Sequence, residues 1–325
     1  MKKLYILSLL MVSGLSFGQS TLPFYDGFNY ANASNLGGQG GWVNLNSGDE
    51  VVVASGNLSY TGLAASTGNS VTFGGAGTDP QLAITPQTTG VIYASYLLNV
   101  TDISGLTFAN GSYHFGLGTG TSFASTVWIK PATATEYSIG INKRTTAADA
   151  VFSTTNVAVN QTLFIVVAFD IANQTSSMWI NPVASTLGDT TIPTPSLTAS
   201  TGANVTTIDK AFLRQGSATD TPTSLIIDEI RVGTTWASVT PVALSVKDNA
   251  IAGLKVYPNP VTNGKLFIST DANTEKSVVI FDVLGKQVVN TTATESVNVS
   301  NLKGGVYIVK ITEEGKTATR KLVIK

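Results

Sequence analysis

Short apolar segments that recur between turn-forming residues constrain the fold of this chain more than any other feature of its sequence. Between residues 51 and 232 these segments are rich in Val, Ile, Tyr, Phe and Trp, and clusters of Gly, Asn, Asp, Pro or Thr separate them. Such residues fit a pleated, half-buried surface, and many short strands in one stretch predict a two-sheet sandwich. The predicted strands are Val51–Ala54, Val91–Leu98, Tyr113–Leu117, Thr126–Ile129, Tyr137–Ile141, Leu163–Phe169, Ser177–Ile180, Lys210–Leu213 and Leu225–Val232.

One of these segments, Leu163–Phe169, is apolar at every position. A strand with two apolar faces is predicted to lie in the centre of a sheet that is covered on both sides. We expect a hairpin turn at Ala172–Thr175. The returning strand should end at Asn181 and Pro182, because proline cannot donate a ladder hydrogen bond.

The composition excludes several kinds of chemistry. Cysteine is absent, so disulfides, a cysteine nucleophile and cysteine-ligated zinc are excluded, and any Ser-His-Asp triad would have to use the single histidine, His114. The net charge of −1 predicts no attraction to nucleic acid. Charge is unevenly spread, because residues 19–243 hold 6 basic and 13 acidic residues, whereas residues 244–325 hold 11 and 7.

The first eighteen residues have the pattern of a secretory signal peptide. Lys2 and Lys3 precede an apolar run, Leu4–Leu15, that is too short to span a bilayer. Small residues then predict cleavage between Gly18 and Gln19. No other stretch is apolar enough for a membrane span, so we expect an exported mature chain without a transmembrane segment.

Together these patterns divide the chain into four parts. We predict a signal peptide at 1–18, a large β-sandwich at 19–241, a linker at 242–252 and a small β-sandwich at 253–325. The fold class is therefore all-β.

The large domain resembles the concanavalin A-like (laminin-G-like) jelly rolls of bacterial secreted proteins. The similar stretches are Phe24–Phe28 with Gly40-Gly41-Trp42, the hairpin that ends at Trp179–Pro182, and the last strand, Ile227–Trp236. The resemblance implies a jelly-roll fold. That fold carries lectins, glycan-binding modules, glycosidases, lyases and inert spacers, so it leaves the activity open.

The acidic residues of this domain do not form a recognisable catalytic set. Glycosidases of the laminarinase type on this fold carry two glutamates and an aspartate on one strand, and retaining chemistry needs two carboxyl groups about 5 Å apart. Only Asp228 and Glu229 are paired within a predicted strand, and we expect adjacent residues to face opposite sides. His114, beside Tyr113, is expected to be packed or solvated. We therefore predict no catalytic residue, with a glycan-active hydrolase or lyase, or a structural adhesin or spacer, as alternatives.

The prediction for this domain is a non-catalytic module that binds a polysaccharide or a cell-surface glycan. Aromatic rings can stack on sugars, although most tryptophans pack in cores. The aromatic candidates are Trp42, Tyr60, Trp128, Tyr137, Trp179 and Trp236.

No cofactor is expected, with one alternative left open. The resemblance implies a structural Ca²⁺ site in some members, where the first and last strands meet, and Asp26 and Asp228 would be its oxygen ligands. Because Ca²⁺ takes six or more oxygens, we expect Asp228 instead to accept hydrogen bonds from the backbone or from Arg231.

Two glycine-rich runs, Gly37–Gly41 and Gly116-x-Gly118-x-Gly120, superficially look like phosphate-binding loops. Neither opens a helix within a βαβ unit, which phosphate binding of that kind requires, so we interpret both as turns.

The last 73 residues closely resemble the type A C-terminal sorting domain of the type IX secretion system. Seven short predicted strands contain its elements in the family order. The matching residues include Tyr257, Pro258, Asn259 and Pro260, then Gly285 in a tight turn, then Gly304, Gly305 and Tyr307, and finally Lys321 in the terminal strand. The resemblance implies recognition by the type IX secretion machinery, removal of the domain by a sortase, and a product that is secreted or attached to the outer cell surface.

Overall fold

The computed structural model describes residues 19–243 and 251–325. The predicted signal peptide, with Gly18, and most of the predicted linker lie outside the described residues. The chain divides into two compact units between Ala243 and Leu244. We call residues 19–243 the body and residues 251–325 the tail. Both are built almost entirely from antiparallel strands, so the all-β prediction is confirmed.

The body contains two eight-stranded sheets. In spatial order, sheet I contains β14 (Leu197–Ala199), β13 (Thr175–Ile180), β12 (Thr162–Asp170), β6 (Val91–Asp102), β16 (Ser224–Gly233), β4 (Ser70–Phe73) and β3 (Val52–Ala54), and β1 (Phe24–Asp26) also pairs with β16. Sheet II contains β10 (Val151–Phe152), β9 (Glu136–Asn142), β8 (Ser122–Pro131), β7 (Ser112–Thr119), β15 (Ile208–Leu213), β5 (Pro80–Gln87) and β2 (Trp42–Asn44), and β11 (Val157–Ala158) also pairs with β9. One short helix, α1 (Trp236–Val239), follows β16, and two 3₁₀ turns lie at Ala147–Asp149 and Ala184–Thr186.

The main core fills the space between these two sheets. Alternate residues of each strand point inward, as the two-residue period of a strand requires, so that Tyr96 of β6 packs against Phe115 of β7 at a ring distance of 4.5 Å. Strand β12 is buried on both faces, because Trp179, Trp236 and other apolar side chains cover sheet I from outside. The predicted central strand is therefore confirmed.

All nine strands predicted for the body are present, and the strands that sequence patterns missed are mostly short. The longest of them is β5, whose Pro80 and Pro86 made a strand a poor expectation. Pro80 is its first residue, where the missing amide hydrogen costs the ladder little.

The tail is a small sandwich of two sheets. Sheet III has the order β17 (Lys255–Tyr257), β18 (Lys265–Ser269), β21 (Ser296–Asn298), and sheet IV has the order β20 (Gln287–Ala293), β19 (Lys276–Asp282), β22 (Gly305–Glu313), β23 (Lys316–Ile324). Leu266, Ile280, Val309 and Leu322 are among the residues of their shared core. A buried ion pair, Lys276 Nζ to Glu313 Oε1 at 3.2 Å, lies in this unit.

Candidate functional site

Most of the aromatic residues proposed from the sequence have little exposed surface. Trp42, Trp128, Tyr137, Trp179 and Trp236 are all buried. The indole nitrogens of Trp42 and Trp236 donate to Asp26 and to the carbonyl of Thr186. A stacking role on an open surface is therefore wrong for these five residues, although Trp236 and Trp179 line cavities of about 460 and 210 Å³. Only Tyr60, which packs on Phe164, is partly exposed.

The single histidine is also buried and lies between the sheets. His114 Nε2 is 3.0 Å from the hydroxyl of Tyr96, and Nδ1 has no partner among the described residues. Burial lowers the pKa of His114 to about 3, so its imidazole is neutral at physiological pH. A group enclosed in this way cannot exchange protons with a ligand at the surface.

The two adjacent carboxylates of β16 face the same side, and the prediction that they face opposite sides is wrong. The register between β16 and β6 shifts between Asp228 and Arg231, and Glu229 has a φ of 58°, which marks a β-bulge. The extra residue breaks the alternation, so both side chains reach the segment 58–67. Asp228 Oδ2 accepts from the amide of Leu58 at 2.8 Å, and Glu229 Oε1 accepts from the amide of Thr67 at 3.0 Å.

This buried pair is a structural tether. Glu229 also accepts from the hydroxyl of Tyr25 at 2.7 Å and forms an ion pair with Arg231 at 2.5 Å. Burial raises the pKa of Asp228 to about 7. Because neither carboxylate is exposed, the pair holds residues 58–67 on sheet I and does not face a ligand.

The proposed calcium ligands are occupied by protein donors. Asp26 accepts from the amide of Phe28, the hydroxyl of Tyr30 and the indole of Trp42, at 2.8 to 2.9 Å. Both oxygens of Asp228 accept backbone amides. The N–H and O–H groups that point at these oxygens place positive hydrogen atoms where a cation would have to bind. The two aspartates therefore do not form a suitable Ca²⁺ site. Across residues 19–243 and 251–325, no group of three or more His, Asp or Glu could hold a metal ion.

An aromatic cluster lies on the outer face of sheet II, and of the aromatic residues proposed from the sequence it includes Trp128, whose ring centroid is 5.6 Å from that of Tyr113. Phe212 of β15 is 4.7 Å from Phe123 of β8 and 6.2 Å from Tyr113 of β7, measured between ring centroids. Tyr113 and Phe123 are partly exposed. The residues on either side of Phe212, Ala211 and Leu213, point into the core, which places Phe212 on the outside.

Glycines make the space for this cluster. Gly116 and Gly118 lie within β7, so their interpretation as turn residues is wrong, whereas Gly120 does lie in the turn that follows, with a φ of 49°. A Cβ atom at Gly116 would be 2.6 Å from Cζ of Phe212. The alternating glycines therefore clear the surface on which the aromatic rings lie, and this spacing within a strand was the sequence signal for the site.

Two cations border the aromatic rings. The Arg214 guanidinium lies 4.4 Å from the centroid of Tyr113 and donates to Ser112 Oγ at 2.8 Å. Lys210 Nζ lies 5.5 Å from the centroid of Phe123 and donates to Gln81 Oε1 at 3.2 Å. Such contacts hold cationic groups over aromatic faces.

These residues line two adjoining cavities of about 540 and 190 Å³, which share Leu45, Gln81 and Lys210. We call the two cavities together the sheet II groove. The smaller cavity contains the aromatic cluster, Arg214 and Asp79, and the larger contains Asp209, Gly120, Thr121 and Gln19. Burial raises the pKa of Tyr113 and lowers the pKa of Lys210.

In the tail, the structure brings together motif residues from opposite ends of the unit. Asn259 Nδ2 donates to the carbonyl of Lys321 at 2.8 Å, and Asn259 Oδ1 accepts from the amide of Val323 at 2.9 Å. Tyr307 donates to the carbonyl of Lys303, and Gly285 occupies a turn with a φ of 81°. These contacts show how the motif residues shape the tail, whereas their role in sorting stays a prediction.

Comparison with known proteins identifies the tail. Residues 255–325 match the family described as the secretion system C-terminal sorting domain. The tail is therefore a sorting domain, and it indicates export by type IX secretion to the cell surface or the surrounding medium. The predicted localisation is confirmed. No helix among the described residues is long and apolar enough to cross a membrane.

Other similarities are more limited. The ulvan lyase NLR42 of Nonlabens ulvanivorans is 36% identical over 86 residues, which are 25% of this chain and 16% of that protein. Cellulose induced protein Cip1 aligns with 65% of this chain and 97% of its own, at 14% identity and a TM-score of 0.36. Trypanosoma rangeli sialidase aligns with 62% of this chain and 32% of its own, at 12% identity and a TM-score of 0.36. With identities of 12% and 14% and TM-scores of 0.36, the two solved structures carry no information on the activity or the ligand of this chain.

Proposed function

We propose that the body is a non-catalytic glycan-binding module, that the tail directs it to the cell surface or the medium, and that the sheet II groove is its ligand site. One observation carries the proposal: partly exposed aromatic rings and two cations line the same groove. Concave sites with apolar walls and a few convergent polar groups are the usual form of ligand sites.

The chemistry of the groove suits a sugar chain. The C–H groups of a pyranose ring can contact the exposed parts of Tyr113 and Phe123 that Arg214 and Lys210 leave uncovered. Sugar hydroxyl groups can then pair with Gln81, Arg214 and Lys210, which supply both acceptors and donors. The volumes of the two adjoining cavities, about 540 and 190 Å³, allow more than one sugar unit to bind.

The arrangement of titratable groups favours binding over hydrolysis. His114 is enclosed in the core, and Asp228 and Glu229 are buried behind residues 58–67 on sheet I. Within the groove, Asp79 accepts from the amide of Gln215 and Asp209 accepts from the hydroxyl of Thr119. Each of these two carboxylates therefore already accepts a hydrogen bond from a protein group beside the groove.

A polysaccharide lyase is a second candidate, favoured by the contact between Tyr113 and Arg214. An arginine could neutralise a uronate while a tyrosine moves a proton. The raised pKa of Tyr113 opposes this role, since its phenol stays protonated at neutral pH and cannot act as the base. The similarity to the ulvan lyase does not support lyase activity of the body, because the 86 aligned residues are too few to span it.

The test is glycan binding by protein spanning residues 19–325, measured by affinity electrophoresis against a polysaccharide panel. We expect Tyr113→Ala and Phe123→Ala each to weaken binding roughly three- to tenfold, the value of one aromatic contact. Phe108→Ala is the matched control, because Phe108 is exposed but lies outside the groove. No binding to any polysaccharide would overturn the proposal and favour a structural spacer.

Tyr113→Phe separates binding from lyase activity, because it keeps the ring and removes the hydroxyl group. We expect this variant to bind as the unchanged protein does and neither protein to release unsaturated sugars. If the unchanged protein released unsaturated sugars and Tyr113→Phe did not, the result would instead establish lyase activity.

A further inference from the structure

The outer face of sheet IV in the tail is apolar and has no cover within the tail. Its strands present five apolar side chains that are absent from the core, namely Val279, Phe281, Val306, Ile308 and Val323. Val306 and Ile308 are 42% and 44% exposed. A contiguous exposed apolar patch on one face of a sheet is unusual for an isolated domain and usually marks a contact surface.

The strand register joins these side chains into one patch. Val306 lies opposite Val323, Ile308 lies between Phe281 and Lys321, and Val279 lies opposite Lys310. Directly opposed side chains on one face are close enough to touch. The turn that follows β19 extends the patch at one end with Val283 and Leu284, which are 71% and 91% exposed.

The charges on this face have one sign. Lys310 and Lys321 flank the apolar patch, and both are exposed. Glu313 of β22 points inward and pairs with Lys276, while Asp282 accepts the amides of Leu284 and Lys286 within its own turn. The remaining outward positions of the four strands carry Ser, Thr, Asn or Gln, so no carboxylate lies beside the two lysines on this face.

We propose that this face, formed by the five apolar side chains with Lys310 and Lys321, is the surface by which the sorting domain docks on the export machinery. The occupant is a protein surface with an apolar centre and an acidic rim. Charge complementarity supports this choice, because a second copy would set lysine against lysine. The basic excess of the tail, with 10 basic and 6 acidic residues in 251–325, acts in the same direction.

The docking surface can be mapped by placing a photoreactive amino acid at Ile308 in the full chain, expressed in an exporting bacterium. We expect a cross-link to a component of the secretion machinery, and we expect Lys310→Glu with Lys321→Glu to reduce that product and the exported fraction on the order of tenfold. A cross-link to a second copy of this chain, or to its own body, would overturn the proposal.

A matched control separates docking from folding. Lys255→Glu with Lys265→Glu reverses two exposed charges on sheet III, on the other side of the tail sandwich, and should leave export unchanged. The double variant Val306→Thr with Ile308→Thr keeps β-branched residues in the strand, so we expect it to retain protease resistance while export falls. Normal export of both the charge-reversed and the threonine variants would overturn the assignment of this face.

Discussion

The side chain of Asn259 hydrogen bonds to the backbone of the terminal strand, donating to the carbonyl of Lys321 at 2.8 Å across 62 positions of the sequence. Its carbonyl oxygen accepts the amide of Val323 in return. Two motif elements that are far apart in the chain therefore form one edge of the tail, and the first fastens the last strand.

Asn259→Ala should loosen this edge. Loss of two hydrogen bonds at an exposed position predicts a cost of about 1–2 kcal/mol in the stability of the tail. Hydrogen–deuterium exchange of β23 should report the effect as faster exchange at Val323. Asn290→Ala is the control, because Asn290 is exposed on β20 and its side chain makes no hydrogen bond within the described residues. Equal exchange in the two variants would show that Asn259 does not hold the strand.

His114 predicts a dependence of body stability on acid. Its pKa is about 3 in the folded state and about 6.5 when unfolded, so the unfolded chain binds a proton that the folded chain does not. The free energy of unfolding of the body should be highest above pH 6.5. It should decrease as the pH drops towards 3, by up to about 5 kcal/mol.

The measurement is urea unfolding followed by tryptophan fluorescence, which reports the body because all four tryptophans lie in it. His114→Gln keeps an amide nitrogen near Tyr96 and removes the titration, so its stability should change less between these pH values. If the stability of His114→Gln changed with pH as much as that of the unchanged protein, the acid sensitivity would belong to other groups.

Glu229→Gln should release the segment that the bulge of β16 holds. The substitution leaves the buried guanidinium of Arg231 without its anion, which predicts a loss of about 3 kcal/mol in body stability. The amide of Thr67 should exchange faster, because its acceptor is weakened. Glu136→Gln, at a partly exposed position, should change neither quantity. Unaltered protection at Thr67 would contradict the tether.

Gly116→Ala should disturb the aromatic cluster of the sheet II groove. The new methyl group would lie 2.6 Å from Cζ of Phe212, and overpacking of this kind costs about 1–3 kcal/mol. Adding Phe212→Leu should recover part of that loss, and the double-mutant cycle measures the coupling. A coupling energy near zero would show that the glycine does not make space for the ring.

Much of the fold could be predicted from residue patterns. The all-apolar segment Leu163–Phe169 identified a central strand, and seven tail strands followed from turn residues and alternation. Strand β5 escaped because two prolines argued against it, although one of them lies at its first position. The bulge at Glu229 was missed because strict alternation was assumed, although the three-residue spacing between the inward-facing Ile227 and Ile230 is the pattern that an extra residue leaves.

The sequence by itself determined which chemistry is absent and where the chain is sent: it has no cysteine, one histidine and an ordered set of sorting motifs. Tertiary structure decided which aromatic rings reach the surface. The tryptophans proposed for stacking are buried, whereas Tyr113 and Phe123 are partly exposed where they meet Arg214 and the buried Phe212. The physical reason is strand register, since a shift of one residue moves a side chain to the other face, and only pairing between distant strands sets that register.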